Sequence, residues 1–554
     1  MLGFSAMYNL KKFSPLPLKC YNAVIFDFVL EYPLGGEKLI TQIKNLAVAL
    51  EDDRSLEEIA AAHLKVEQKK IRAVKILRKA VDARRYKGAG IKFIYNLEVN
   101  LDDKLPTPKS YPLTPKSCSQ NPVVVGFGPA GMFAALTLAL SGVEPVIFER
   151  GADIDSRTLA VEKFFGGGDF NTKTNVQFGE GGAGTFSDGK LTTRISDDLI
   201  TFVLESFVEA GAPPEILYLA KPHIGTDKLR AVVKNIRKKI LQLGGKIYFN
   251  AQVTDFEITD KKIFAVIVNG EERFTADAVF FGIGHSARDT YEMLERRGVA
   301  METKAFAVGV RIEHPQEFIN RAQYGEDFKN PKLPTADYFL TYKDLKRGRG
   351  AYSFCMCPGG KVVAATSEVG QVVTNGMSNF ARDSGVANSA LLVTVVPADF
   401  DGGVLGGIKF QKHFEKLAFE LGGKNFSAPV QTVGDFLAGR AVSKNFLIEP
   451  SYPVGWKVAN LRECLPVEVS KTLADALTFW NGKIKNFSAP DVALTGIETR
   501  TSAPCRIIRD KNNRQSTSTK GLYPIGEGAG YSGGIMSSAV DGIKSAQTFL
   551  SQFD

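Results

Sequence analysis

The sequence predicts an α/β chain in three parts: a small N-terminal α/β domain over 1–118, a domain split between 119–304 and 490–554, and an α+β domain over 305–489 inserted into it. Three observations lead there. A chain of 554 residues needs more than one hydrophobic core. A run with Pro106, Pro108, Pro112 and Pro115 makes 105–119 a stiff connection between cores. A strand, glycine turn and helix pattern appears at 122–141 and returns at 521–549, while the intervening 305–490 is rich in Phe, Gly and Asn.

Composition removes several classes. Charged residues at 23% and hydrophobic residues at 44% are globular proportions. Cys20, Cys118, Cys355, Cys357, Cys464 and Cys505 are too few and too scattered for a disulfide scaffold, which favours a reducing compartment. The first apolar run, 23–30, is broken by Asp27, so secretion is not expected. The charge-poor stretch 121–143 has the length of a membrane span, but its glycines and Pro129 give it a strand, turn, helix order. It reads as a buried βα unit, and no membrane partner is expected.

Within the N-terminal part, 23–30 and 91–99 read as strands, and Ser55 with Glu58 has capping-box spacing at a helix start. The first 120 residues hold 20 Lys+Arg against 13 Asp+Glu, which is +7 of the formal +9. Most of it lies in 65–92, where Ile71, Val74, Leu77 and Val81 at helical spacing predict an amphipathic helix with its bases in solvent. A solvated face is the favoured reading. Contact between 65–92 and nucleic acid is the alternative, unsupported by any RRM, KH or zinc-finger signature.

The strongest chemical signal is VVVGFGPAGMFAALTLALSGVEPVIFERG. Strand 122–125 runs into Gly126, Phe127, Gly128, Pro129, Ala130 and Gly131, a helix follows over 132–141, and a second strand over 146–148 ends at Glu149 and Arg150. Gly126 permits the tight turn, Gly128 lets a pyrophosphate approach the backbone, and Gly131 lets helix and strand pack closely. The helix start supplies free N–H groups for phosphate. Glu149 is placed to accept from a ribose diol and disfavours a 2′-phosphate, so the site suits FAD or NAD. At the C-terminus, GLYPIGEGAGYSGGIMSSAVDGIKSA gives a strand, a turn at Gly526 and Glu527, and a helix opened by Gly533 and Gly534. Bare amides at a helix start suit the electron-rich pyrimidine edge of a flavin, and Glu527 would reach ribityl hydroxyls.

Together these segments resemble the glutathione-reductase-type FAD-dependent oxidoreductases, whose Rossmann-like FAD domain is split and closed by such a C-terminal segment. The stretches KILRKAVDAR, FGEGGAGTFSDGKLTTR, KPHIGTDKLR, GHSARDTYEML, FAVGVRIEHPQ, YSFCMCPGG, VVTNGMS, GIETRTSAP and IGEGAGYSGGIMSSAVDG extend the resemblance to a bacterial subfamily of FAD-dependent dehydrogenases with an extra N-terminal domain. The resemblance implies a cytoplasmic FAD protein. It implies that Glu149 meets the adenosine ribose, that the strand at Val253 offers backbone to adenine, and that the stretch from Gly182 to Ser187, followed by Lys190, lines flavin or phosphates. It further implies that Gly526, Glu527, Gly534 and Ile535 meet ribityl and flavin.

Residues 278–287, with Gly284 in a G-x-G-x-x-A turn, have no second strand ending in an acid and read as the return strand past the FAD. NAD(P)H is therefore expected only as a transient donor at the flavin face. Candidates for chemistry are Cys355 and Cys357, which alternation places on one face of a strand. Glu498 and Arg500 stand in a polar loop where Arg500 suits an anionic substrate, and His285, His223 and Lys190 are candidate proton donors. No set of metal ligands is expected. The favoured function is an FAD-dependent oxidoreductase moving two electrons through non-covalent FAD. The alternatives are an FAD-dependent RNA-modifying protein and a non-turnover FAD-bound sensor or scaffold.

Overall fold

The computed structural model describes residues 40–84, 90–101 and 118–553. The strand expected at 23–30 and the proline-rich run over 105–117 lie outside them. Among the described residues, no helix is long and apolar enough to cross a membrane.

The N-terminal part comprises β1 (Ile40–Ala49), α1 (Leu56–Leu64), β2 (Ala73–Asp82) and β3 (Lys92–Asn100), in an antiparallel sheet ordered β1-β3-β2. α1 begins at the expected capping box: Ser55 Oγ accepts from the Glu58 amide at 3.1 Å, and Glu58 Oε2 accepts from the Ser55 amide at 2.8 Å. The helix expected through Ile71, Val74, Leu77 and Val81 is instead β2. Its β-branched residues pair in register with the buried face of β3, Val74 opposite Val99 and Ile76 opposite Leu97. A bulge then inserts Leu77, 36% exposed, and shifts the apolar positions to a spacing that imitates a helix. Lys75, Arg78 and Lys79 therefore stand on an edge strand. That edge is covered: Lys79 donates its amide to Tyr218 O at 2.8 Å and accepts from the Ala220 amide at 2.9 Å.

The next stretch holds β4 (Pro122–Val125), α2 (Pro129–Leu140), β5 (Val146–Phe148), α3 (Ile154–Phe165), α4 (Leu199–Glu209), α5 (Thr226–Gln242) and β6 (Lys246–Tyr248). A three-stranded meander follows, β7 (Val253–Thr259), β8 (Lys262–Val268) and β9 (Glu272–Thr275), then β10 (Ala278–Phe281) and α6 (Arg288–Arg296). All four residues of β4 are buried, as in a strand covered on both faces. From the sequence, 226–243 reads as a helix capped by Thr226 and 246–258 as one strand, and both expectations are corrected. Thr226 does not cap α5. Gly225 is the cap at φ +79°, and Thr226 Oγ1 donates to Thr185 O at 2.7 Å. The single strand expected over 246–258 is two, β6 and β7, in different sheets, because the chain turns at Asn250 with φ +54°.

The remaining elements are β11 (Met301–Thr303), β12 (Phe306–Pro315), α7 (Gln316–Tyr324), β13 (Thr341–Asp344), β14 (Arg349–Cys357), β15 (Gly360–Ala364), β16 (Thr374–Ser378) and β17 (Val386–Val395). Then come α8 (Gly406–Gly422), β18 (Ala428–Thr432), α9 (Val433–Ala438), β19 (Trp456–Val458), α10 (Val467–Asn481), β20 (Ala493–Glu498), β21 (Cys505–Ile507), β22 (Leu522–Pro524) and α11 (Ile535–Leu550). Seven strands form a large sheet ordered β13-β14-β17-β12-β20-β18-β19. β20 is wholly buried between β12 and β18, so this sheet takes the chain to Glu498, past the division expected at 489.

β22 returns to the first body, where the sheet order is β22-β10-β4-β5-β6 with every neighbouring pair parallel. α11 lies close on α2, since a Cβ at Gly542 would overlap the Ala130 carbonyl. Strand ends, the α2 start and the α11 start thus converge on one side of this sheet, where α/β folds place their ligands.

Candidate functional site

A cavity of about 2440 Å³ opens at that convergence. Gly126, Gly128, Pro129, Ala130, Glu149, Arg150, Gly182, Ser187, Lys190, Val253, Gly284, Gly526, Glu527, Gly533, Gly534 and Ile535 all line it, as do Cys355, His285, Glu498 and Arg500. Of the residues singled out from the sequence, Gly131 and Cys357 stand behind the wall.

The three glycines of the first turn have different reasons to be glycine. Gly126 has φ +88°, which disfavours any side chain. A Cβ at Gly131 would overlap the Gly126 carbonyl. Gly128, with φ −81°, asks for neither: a Cβ there would make only ordinary contacts, with Gly182 Cα at 3.5 Å and Gly182 N at 3.9 Å. Gly533 likewise has no heavy atom within 4 Å of such a Cβ. The room left at Gly128 and Gly533 therefore opens into the cavity, and it lies beside two helix starts whose first amides have no helical acceptor.

Glu149 is 5% exposed at the end of β5. Its Oε1 accepts from the Gly151 and Gly179 amides, each at 3.0 Å, and its Oε2 from the Phe127 amide at 2.8 Å. A carboxylate offers about four lone pairs, so an acceptor site remains for a diol. Arg150 donates to Asp289 at 3.1 Å and Thr290 at 2.7 Å and stacks on Phe178. The Ser187 hydroxyl donates to Gly184 O at 2.6 Å, so it serves its own turn. Opposite, Glu527 makes no side-chain hydrogen bond among the described residues. Burial pushes its carboxyl up to about 7, with the nearby Lys304 opposing. Lys304, itself pulled down by burial, carries no sequence motif and was not singled out.

The polar candidates are held differently from one another. Arg500 is not open to a substrate carboxylate: its Nε and Nη2 donate to Glu415 at 3.1 and 2.8 Å, and further hydrogen bonds reach Ser367 and Gln371. Arg288 shares the same carboxylate at 2.6 Å. Burial would raise Glu415, but the two guanidiniums outweigh it and hold the carboxyl at about 2. His285 hydrogen-bonds Ser286 through Nδ1 at 3.0 Å, and burial with Arg500 and Arg288 alongside depresses it to about 3, so it is neutral and holds no spare proton at neutral pH. Glu498 is ion-paired with Arg311 at 2.6 Å. His223 meets Phe380 O at 3.0 Å, and burial lowers it too. Lys190 donates to Met356 O.

Two features of the wall had no sequence signal. The N-terminal part contributes Arg78 and Lys79 of β2, and Arg84 just after it, to the cavity mouth, and the inserted part contributes Tyr324, Tyr338, Phe339, Tyr352 and Phe354. Both depend on contacts between distant segments, which no local spacing records.

Residues 305–501 match the family described as FAD-dependent protein, C-terminal domain-like, and residues 39–100 match a domain of unknown function. An uncharacterized protein of Clostridium beijerinckii is 49% identical over 529 residues, covering 93% of this chain and 99% of the relative. The chain belongs to the family of that clostridial protein. Among solved structures, glycine oxidase from Bacillus cereus matches at TM-score 0.33 and 10% identity, covering 79% of this chain and 96% of that one. CtdE in complex with FAD matches at TM-score 0.29 and 12% identity, covering 78% and 83%. At those TM-scores they add nothing to the assignment, which rests on the clostridial relative and the matched domain.

Proposed function

We propose that this protein is a cytoplasmic FAD-dependent oxidoreductase whose non-covalent FAD lies in the cavity, across a Rossmann-like domain split in the chain. The carrying observation is the pair Gly128 and Gly533, neither of which the fold itself requires to be glycine, at two helix starts facing one cavity. That pattern supports an elongated ligand with phosphate at α2 and an electron-rich ring edge at α11. Glu149 would hold the ribose diol through its remaining lone pair, and the first amides of α2 would take the pyrophosphate. Glu527 would face the ribityl chain and, with its carboxyl pushed to about 7, can hold or release a proton near neutrality. The bound flavin would supply two-electron transfer, while the protein orients the reactants and excludes water. The aromatic wall of the inserted part suits a substrate with an apolar or aromatic body, and NAD(P)H would act only as a transient donor.

The test is direct. The purified protein is denatured, and the released chromophore is identified by mass and absorbance. One FAD per chain is expected, together with bleaching of the flavin by NADH or NADPH under anaerobic conditions. Protein that carries no flavin and takes up none on incubation with FAD would overturn the assignment.

A further inference from the structure

β14 ends in an irregularity that packing alone does not call for. Between the pairs Phe354–Ala390 and Cys357–Asn388, β14 advances three residues while β17 advances two, so one extra residue is bulged out. Cys355 sits in the bulge with φ +42°, a left-handed conformation that a non-glycine residue adopts only under strain. Such outliers collect at functional sites. The bulge turns Cys355 into the cavity, and Cys357 stays fully buried behind it. The Cys357 thiol donates to the Cys355 carbonyl oxygen at 3.3 Å.

Cations surround this point. Lys190 Nζ donates to the Met356 carbonyl, and both Nη atoms of Arg311 approach the Cys355 carbonyl at 3.4 Å. The neighbouring Cys357 side chain, helped by Lys190 and Arg311, pulls the Cys355 thiol below its ordinary range. The adjacent Cys355 side chain and burial push Cys357 well above it. One accessible thiol disposed to ionise, next to one that keeps its proton, is the asymmetry of an attacking and a resolving sulfur. In a flat strand the Cα atoms of residues i and i+2 stand about 6.8 Å apart, the upper end of what a disulfide spans. A bulge that bends the strand there eases closure.

We propose that Cys355, facing the cavity, and Cys357 behind it are a dithiol–disulfide redox pair exchanging two electrons with the flavin. It rests on the FAD reading above but concerns a second redox centre, on the inserted sheet. On oxidation each thiol loses its hydrogen and the sulfurs join, releasing two electrons and two protons. The electron pair and one proton reduce the oxidised flavin, and the second proton passes to solvent; the reverse reaction opens the disulfide.

Thiol counting and electron counting test it on the holoprotein. The chain has six cysteines, so thiol titration in denaturant after anaerobic reduction should find all six, and after oxidation two fewer. Peptide mapping of the oxidised wild type should place the S–S bond between Cys355 and Cys357, with no dependence on how any variant folds. Anaerobic dithionite titration should take up about twice the electrons per flavin that a lone flavin accepts. Cys355→Ser and, separately, Cys357→Ser should lower that to the flavin's own two. Six free thiols in the oxidised protein, or a wild-type uptake no greater than that of the variants, would overturn the pair. Failure of the FAD reading is distinguishable, because it appears as missing flavin whatever the thiol count.

Discussion

Asp541 Oδ2 accepts the Gly526 amide at 2.8 Å, so the middle of α11 fixes the turn that follows β22. Asp541 is ion-paired with Arg509 at 2.6 Å and with Arg514. The turn it fixes carries Glu527 to the cavity. Asp541→Ala leaves two largely buried guanidiniums without their carboxylate, and breaking such a pair costs about 3–5 kcal/mol. A fall in melting temperature together with lost flavin retention is expected. An unchanged melting temperature would mean that the turn is held by other contacts.

Gly128 and Gly131 should separate folding from binding. A Cβ at Gly131 overlaps the Gly126 carbonyl, so Gly131→Ala should destabilise the protein with or without cofactor. At Gly128 the same Cβ makes only ordinary contacts with Gly182, at 3.5 and 3.9 Å. Gly128→Ala should therefore leave the melting temperature of the apoprotein within the small range of a neutral substitution, about 0.5 kcal/mol, while weakening FAD by ten-fold or more. Flavin content after gel filtration reads the second effect. Retained flavin in Gly128→Ala would remove the reason given for that glycine.

What the sequence disclosed follows how local each cause is. The Ser55–Glu58 cap, β4 and the glycine turn before α2 depend on residues within a few positions of one another, and they stand where spacing placed them. β2 was misread because its bulge at Leu77 exists only in partnership with β3. Thr226 looked like a cap, but its hydroxyl answers to Thr185, 41 residues away. Arg500 looked available because its partner Glu415 lies 85 positions upstream. The glycines of the cavity were legible and its charge network was not, since a glycine shows a backbone requirement by itself whereas an ion pair needs both ends in view.

That network gives a pH dependence. Glu415 is held at about 2, against an ordinary 4.5, by Arg288 and Arg500. Its folded value is depressed, so it contributes stability fully present above pH 4.5 and lost as pH falls toward 2. Wild-type stability should decline across that window. Glu415→Gln leaves the two buried guanidiniums with only the partly exposed Glu368 as counter-charge among the described residues, a loss of up to about 3–5 kcal/mol at neutral pH, and it should flatten the decline. Denaturant unfolding at several pH values measures both, and an equally steep acid decline in the variant would assign it to other carboxylates.

Glu527 should show the opposite sign. Burial raises its carboxyl from 4.5 to about 7. The folded apoprotein therefore binds the proton more tightly than the unfolded chain. Below pH 4.5 both states are protonated and the stability linked to this group is fully present. As pH rises toward 7 it is lost, because the folded state must accommodate a carboxylate with only Lys304 nearby to oppose the burial cost. Glu527→Gln keeps the shape and removes the titration. The apoprotein of this variant should gain a few degrees in melting temperature over wild type at pH 8 and show little difference at pH 4. The holoprotein should behave otherwise: if the carboxylate accepts from ribityl hydroxyls, the substitution should weaken flavin binding at pH 8 while stabilising the empty protein. Melting curves with and without FAD at the two pH values separate these effects, and equal gains in both forms would mean that Glu527 does not touch the cofactor.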